Sequence, residues 1–361
     1  MDIGGLEEIS RCTDAPDQLL CAGGCSGETE NCVYFAYGCR HKCEVLRVTV
    51  CADGSCRVAS VVRFDAFPER EVSEEDDFNP HEVTACCISL NLDKGRYATC
   101  IVGNSGGNMA MWDIGLASGS ATSIGALPFS GEGEAAAAAA AEPQDENKVK
   151  CITRYGNAVA AVTLGDGLCR VWNCADRTLM HTWHATDFGL DKESRPLMRY
   201  CSLTGSGKYV TVAAASRNMK AKNAGCWIAT RAIDCEEPTV VVPLKETKTL
   251  ASCDIVERDD GFVVALGNTD ADALGFSIKG NSATCTCVKR SCHGFVTTAA
   301  NCVQLADGNS TLIISAGTDG SCRVHHPGKK SLAFSMKTVT LVAATAAAVG
   351  AFSVIYCKFM N

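Results

Sequence analysis

The chemistry-bearing side chains of this chain are above all thiols, 24 cysteines among 361 residues. Cysteine and histidine hold structural zinc when two closely spaced pairs converge on one tetrahedral site. The close cysteine spacings are Cys39/Cys43, Cys51/Cys56, Cys86/Cys87 and Cys285/Cys287. None of them forms the paired Cys-x-x-Cys knuckles of such a site. The cysteine-bearing run over residues 83–90 is apolar and alternating, so its thiols read as small hydrophobes in a core. Two histidine pairs, His181/His184 and His325/His326, have ligand-like spacing. His184 follows Trp183 in a strand-like run and His325 stands where a related segment carries an aromatic, so both pairs read as structural. No Gly-x-Ser-x-Gly elbow, phosphate-binding Gly-x-x-x-x-Gly-Lys-Ser/Thr loop or His-Glu-x-x-His helix occurs in the sequence. A covalent catalyst is therefore not expected.

One further segment has the residue types of a binding loop. Residues 19–27 read Leu19-Leu20-Cys21-Ala22-Gly23-Gly24-Cys25-Ser26-Gly27 and lead through Asn31 to Gly38. Glycines at such density let backbone carbonyls and amides face a ligand directly. The same glycines are compatible with an ordinary turn between two strands.

Such a loop needs a scaffold, and the scaffold is written in a repeat. Asp53-Gly54-Ser55-Cys56-Arg57-Val58 recurs as Asp166-Gly167-Leu168-Cys169-Arg170-Val171 and as Asp319-Gly320-Ser321-Cys322-Arg323-Val324. A weaker copy, Gly106-Gly107-Asn108-Met109-Ala110-Met111-Trp112, aligns without a gap on Asp166 to Trp172. The starts at 53, 106 and 166 lie 53 and 60 apart, and 166 to 319 is 153, about three times 51. That is the spacing of propeller blades. Asp-Gly favours the positive-φ turn of a β-hairpin, and the residues after it alternate as in a half-buried strand. Trp112-Asp113 is the dipeptide that ends the third strand of many WD repeats, and Trp172-Asn173 is a relaxed form of it. Further hairpins are expected at residues 225–228 and 273–276, with preceding strands at 158–164, 209–215, 261–266 and 311–316. The expected fold is all-β: a WD-repeat-type β-propeller of seven blades, or six, between Asp17 and His326, within a cytosolic body of residues 1–330.

Two inserts interrupt the repeat. Residues 68–79 carry Glu69, Glu71, Glu74, Glu75, Asp76 and Asp77, which reads as a solvated loop or a partner contact. Residues 130–147 are of low complexity, with alanine throughout 135–141, and no function is expected of them.

The net charge of −8 and pI near 5.4 argue against a nucleic-acid partner, which requires a basic face. Met1 to Glu8 carries three acidic residues and no apolar core, so no secretory signal is expected there and the thiols are expected to be reduced. Residues 338–357, from Thr338 to Cys357, are uncharged and largely apolar. At about 1.5 Å per residue a helix of this length spans a roughly 30 Å hydrocarbon core, although a buried core helix would have a similar composition. Residues 358–361 follow it. Lys329, Lys330 and Lys337 precede it and Lys358 follows, so the positive-inside bias leaves the body cytosolic and the tail lumenal. A single-pass, tail-anchored protein is expected.

These features together resemble the endoplasmic-reticulum WD-repeat exchange factors for the Sar GTPase of COPII coats, the prolactin regulatory element-binding protein-like family. The resemblance covers nearly the whole chain. It rests on the propeller repeat, the C-terminal anchor and the first-blade segment. In the family that segment runs Leu-Leu-x-Ala-Gly-Gly-Gly-Gly, then Gly-Ile-x-Asn and a strand ending Leu-x-Val. Here it is Leu19 to Gly24, then Gly38-Cys39-Arg40-His41 and Val45-Leu46-Arg47-Val48. Cys25 and Ser26 stand at the third and fourth glycines, and the asparagine position is His41 in register, or Asn31. The resemblance implies a potassium ion held by backbone carbonyls at Gly23 and Gly24. It also implies a GTPase-contacting loop of Gly23, Gly24, Cys25, Ser26, Gly27, Asn31, Gly38 and His41 that expels GDP. The partners implied are a Sar-type small GTPase, the endoplasmic-reticulum membrane and the COPII machinery. Some anchored propellers of the family serve cargo export without exchange, so a tail-anchored scaffold is the alternative.

Overall fold

Short runs of β-branched and small apolar residues, punctuated by glycine and Asx turns, form 23 strands among the described residues of a computed structural model of the chain. The structure describes residues 21–26, 32–50, 56–68, 79–91, 97–128, 148–163, 167–204, 207–234, 238–291, 297–304, 311–317 and 322–325. Among them no α-helix occurs; the only helical turns are of the 3-10 type, at Ala185–Phe188 and Lys192–Ser194. The residues 338–357 expected to cross a membrane, the acidic residues 69–77 and the insert 130–147 lie outside the described residues. Among the described ones no helix is long and apolar enough to span a bilayer.

The strands form up-and-down antiparallel sheets in strict chain order. Five are four-stranded and one, among the described residues, is three-stranded. One compact unit, residues 12–49 with 57–184, holds the first three sheets. They are β1 (Cys21–Ser26), β2 (Cys32–Cys39), β3 (Lys42–Val50) and β4 (Cys56–Asp65); β5 (Val83–Leu90), β6 (Tyr97–Asn104), β7 (Met109–Gly115) and β8 (Ser120–Leu127); and β9 (Val149–Tyr155), β10 (Ala158–Thr163), β11 (Cys169–Asn173) and β12 (Thr178–Trp183). A second unit includes the described residues from 185 to 325. Its sheets are β13 (Pro196–Thr204), β14 (Tyr209–Ser216), β15 (Cys226–Ala232) and β16 (Pro238–Leu244); β17 (Ser252–Arg258), β18 (Gly261–Gly267), β19 (Ala273–Lys279) and β20 (Ser282–Lys289); and β21 (Thr297–Gln304), β22 (Thr311–Gly317) and β23 (Cys322–His325). The strands expected at 158–164, 209–215, 261–266 and 311–316 are β10, β14, β18 and β22. The hairpins expected at 225–228 and 273–276 open β15 and β19.

Alternation follows the sequence at the start of β7, where Met109 and Met111 are buried and Ala110 and Trp112 half-buried, whereas β15 is buried from Cys226 to Arg231 and β19 from Ala273 to Phe276. The second strands depart from it, because they are covered on both faces. From Ala98 to Asn104 every residue of β6 is buried. Ala98, Cys100 and Val102 join an apolar cluster with Tyr34, Val45 and Phe64 of the first sheet. Ile101, one residue out of phase, joins Val149, Ile152 and Trp172 of the third. A strand sandwiched this way is largely apolar, and its buried polar side chains, Thr99 and Asn104, are hydrogen-bonded.

The structure also corrects the phase of one repeat copy. The Gly106, Asp166 and Asp319 copies all join the second strand of a sheet to the third (β6–β7, β10–β11 and β22–β23). The Asp53 copy instead lies between β3 and β4, its residues 51–55 outside those described. An Asp-Gly pair specifies a tight turn between two strands and nothing about which two. The in-phase set gains a member in its place. Ladder irregularities fall between Met111 and Trp112, between Val171 and Trp172, and between Gly275 and Phe276, at the same step of the third strand in three sheets. Phe276, fully buried, thus occupies the place of Trp112 and Trp172.

Candidate functional site

The candidate site is the first sheet. Gly23, Gly24, Cys25 and Ser26, expected as a loop, lie instead within β1, opposite Ala36, Phe35, Tyr34 and Val33 of β2 in continuous antiparallel register. Gly38, on β2, is opposite both Cys21 and Cys43. The physical reason is local: β2, an eight-residue and largely apolar strand already paired with β3, offers an edge, and pairing satisfies the backbone groups of a glycine-rich segment that has few side chains to oppose it. Gly27 and Asn31 fall outside the described residues.

His41 is in the tight turn between β2 and β3, where Arg40 adopts a left-handed φ of 50°. Its side chain is buried, with Nε2 3.2 Å from Oδ1 of Asp65, a carboxylate that Lys42 Nζ approaches at 3.9 Å. The imidazole makes no well-directed hydrogen bond there, so the contact is a close polar approach. The His41 carbonyl accepts from the backbone N–H groups of Ala66 (2.9 Å) and Phe67 (3.2 Å), and the carbonyl of Arg40 accepts from Val83 (2.6 Å). The turn thereby binds the exit of β4 and the entry of β5. Three residues after His41, the buried carboxylate of Glu44 accepts from Arg63 Nε (3.0 Å) and lies 2.9 Å from its Nη2. A charge-assisted pair of this kind locks β3 to β4 beneath the His41 turn.

The aromatic positions of the repeat reach the preceding sheet. Phe64 of β4 lies against Trp112, ring centroids 4.7 Å apart. Trp172, wholly buried, donates through Nε1 to the Pro128 carbonyl at 2.6 Å. His181 stacks on Trp183 at 4.9 Å. Among the described residues no group of three or more His, Cys, Asp or Glu is arranged to hold a metal ion.

Sequence reasoning missed a second polar signature. Asn104 and Asn268 are buried at the ends of β6 and β18, and the side-chain oxygen of each accepts from the backbone N–H four residues on, Asn108 and Asp272, both at 2.8 Å. In the second case the Asp272 carboxylate also takes Ser291 N–H and Arg290 Nη1, each at 2.8 Å. The spacing Gly103-Asn104 to Asn108 and Gly267-Asn268 to Asp272 was present in the sequence and marks the same second-to-third-strand turn that Asp-Gly marks elsewhere.

No family model matches the chain, and no curated protein matches it in sequence.

Proposed function

We propose that the chain is a membrane-anchored WD-type β-propeller that promotes GDP release from a Sar-type small GTPase, starting COPII coat assembly at the endoplasmic reticulum. The observation that carries the reading is the Leu19 to Gly24 segment leading into the first of a series of four-stranded meander sheets. The sheets, the recurring aromatic of the third strand and the apolar residues 338–357 support it. Exchange needs no nucleophile or proton shuttle. It requires tighter binding to the nucleotide-free GTPase than to the loaded one, and that difference in affinity lowers nucleotide retention. A potassium ion at the Gly23 and Gly24 carbonyls would present a fixed positive charge to the nucleotide site. An anchor raises the local concentration of a factor whose GTPase also sits on the membrane.

The alternative is a tail-anchored scaffold or cargo-export factor without exchange activity. Two observations favour it: the burial of His41 against Asp65, and the incorporation of Gly23 to Ser26 into the β1–β2 ladder. Fluorescent-GDP release from the candidate GTPase, measured with the full chain in detergent, decides between them. Exchange predicts accelerated release that falls on Asn31→Ala or on His41→Ala, whichever occupies the contacting position. Unchanged release at micromolar protein, with coat or cargo components recovered on the chain, establishes the scaffold instead.

A further inference from the structure

On a chain of net charge −8, one exposed platform of the second unit has the opposite sign. It is built from the turn at residues 191–195 and the β14–β15 loop at residues 216–225. Between them they carry Lys192, Arg195, Arg217, Lys220 and Lys222, all exposed, against two carboxylates, Asp191 and Glu193. One of the two is engaged structurally: Asp191 accepts from the Glu193 N–H at 3.0 Å and from Asn223 Nδ2 at 3.2 Å.

Backbone bonds hold the two segments together. The N–H groups of Arg217 and Asn218 donate to the carbonyls of Arg195 and Ser194, each at 3.1 Å. Asn218 organises the loop, its side chain donating to the Glu193 carbonyl and accepting from the Lys220 N–H, both at 3.2 Å. Ser216 closes the base, accepting from Gly225 N–H at 2.9 Å. At the crest, between Arg217 and Lys220, the side chain of Met219 is 48% exposed.

From this geometry we infer that the platform docks on an anionic lipid bilayer. Five cations set on a preformed base match a surface of anionic headgroups, and each cation near such a surface contributes roughly a fivefold gain in partitioning. Met219 projects from among them and enters the headgroup boundary, as interfacial apolar side chains do. The exposed apolar crest distinguishes this surface from one suited to an acidic protein alone, for which the cations would suffice. The inference concerns the body of the protein and is independent of both the exchange reading and residues 338–357.

The test uses the full chain carrying Val342→Asp and Val349→Asp, so that vesicle capture reports the platform and not the apolar stretch. Vesicles of phosphatidylcholine are compared with vesicles containing about one third phosphatidylserine. Capture is expected only by the anionic vesicles, declining as salt is raised. Lys220→Gln with Lys222→Gln, both exposed positions, is expected to lower it roughly 30-fold at unchanged circular dichroism, and Met219→Ser to lower it further. Equal capture by both vesicle types, absent capture, or undiminished capture by the glutamine variant would overturn the proposal. Tighter binding of a polyglutamate peptide than of the anionic vesicles would do so too, reassigning the surface to an acidic protein. Resistance of the unsubstituted chain to alkaline extraction from neutral vesicles separately tests the membrane reading of residues 338–357.

Discussion

Gly103, near the end of β6, is a point of close approach between the second and third sheets of the first unit. A Cβ built there would lie 2.6 Å from Cγ1 and 2.7 Å from Cβ of Val149, and 3.1 Å from Cδ1 of Ile152. Val149 is fully buried and β-branched, and the closest atoms include its Cβ, which no change of rotamer moves. Gly103 does not have a left-handed backbone, and alanine is therefore conformationally acceptable; restricting the unfolded chain would by itself stabilise by about 0.4–1 kcal/mol. Overpacking a close-packed core costs about 1–3 kcal/mol, so the clash wins and Gly103→Ala is expected to destabilise by about 1–2 kcal/mol. Val149→Ala alone removes two buried methyl groups and is expected to cost about 2 kcal/mol. In that background the Cγ1 contact is gone while the Cβ of residue 149 and Cδ1 of Ile152 remain close, so Gly103→Ala should still destabilise but by less than in the native background. The double-mutant cycle thus predicts a coupling of about 1 kcal/mol. Urea unfolding followed by tryptophan fluorescence measures it, since Trp112, Trp172 and Trp183 all belong to this unit. Equal destabilisation by Gly103→Ala in both backgrounds would refute the knob-and-recess contact between these sheets.

Two titrations follow from the same packing. Burial pushes the Cys174 thiol up from 9.0 to about 11, Arg154 partly opposing, and the Cys226 thiol to about 12, Arg199 partly opposing. The folded state therefore keeps both protons where the unfolded chain has lost them, so their contribution is intact below pH 9.0 and shrinks as pH climbs from there through about 11 and about 12. Denaturation series near neutrality and at about pH 10 should show this loss, Cys226→Ala should flatten it, and neither thiol should react with iodoacetamide before unfolding. In the β11–β12 turn, the Asp176 carboxyl is held below its ordinary range chiefly by the Thr178 hydroxyl at 2.7 Å, aided by the Thr178 N–H at 3.1 Å. Thr178→Val should raise its midpoint in a carboxyl carbon-13 NMR titration, and an unmoved midpoint would show that the hydroxyl contact is absent.

Much of the local structure was legible in the residues themselves. Turn chemistry located the hairpins at Asp166, Asp319 and Gly106, and period-two patterning located the third strands, because both signals act over a few neighbouring residues. In two of the expected hairpins the Gly-Asn signature at Asn104 and Asn268 was equally readable and was missed, since its identity lies in a spacing of four and not in a shared word. The candidate site was read less completely. Its glycines at 23 and 24 have intrinsic freedom for a loop, and only the presence of β2 alongside made them a strand.

What the sequence by itself determined was the all-β class, the hairpin as the building unit and the aromatic of the third strand, properties carried by dihedral preference and side-chain alternation within one segment. Tertiary structure alone decided that the Asp53 turn joins a third strand to a fourth, that β6 is buried on two faces, and that His41 turns inward to Asp65. Each of those outcomes is an interaction between residues tens of positions apart, whose free energy exists only once separate sheets have been brought together, and no local pattern encodes it.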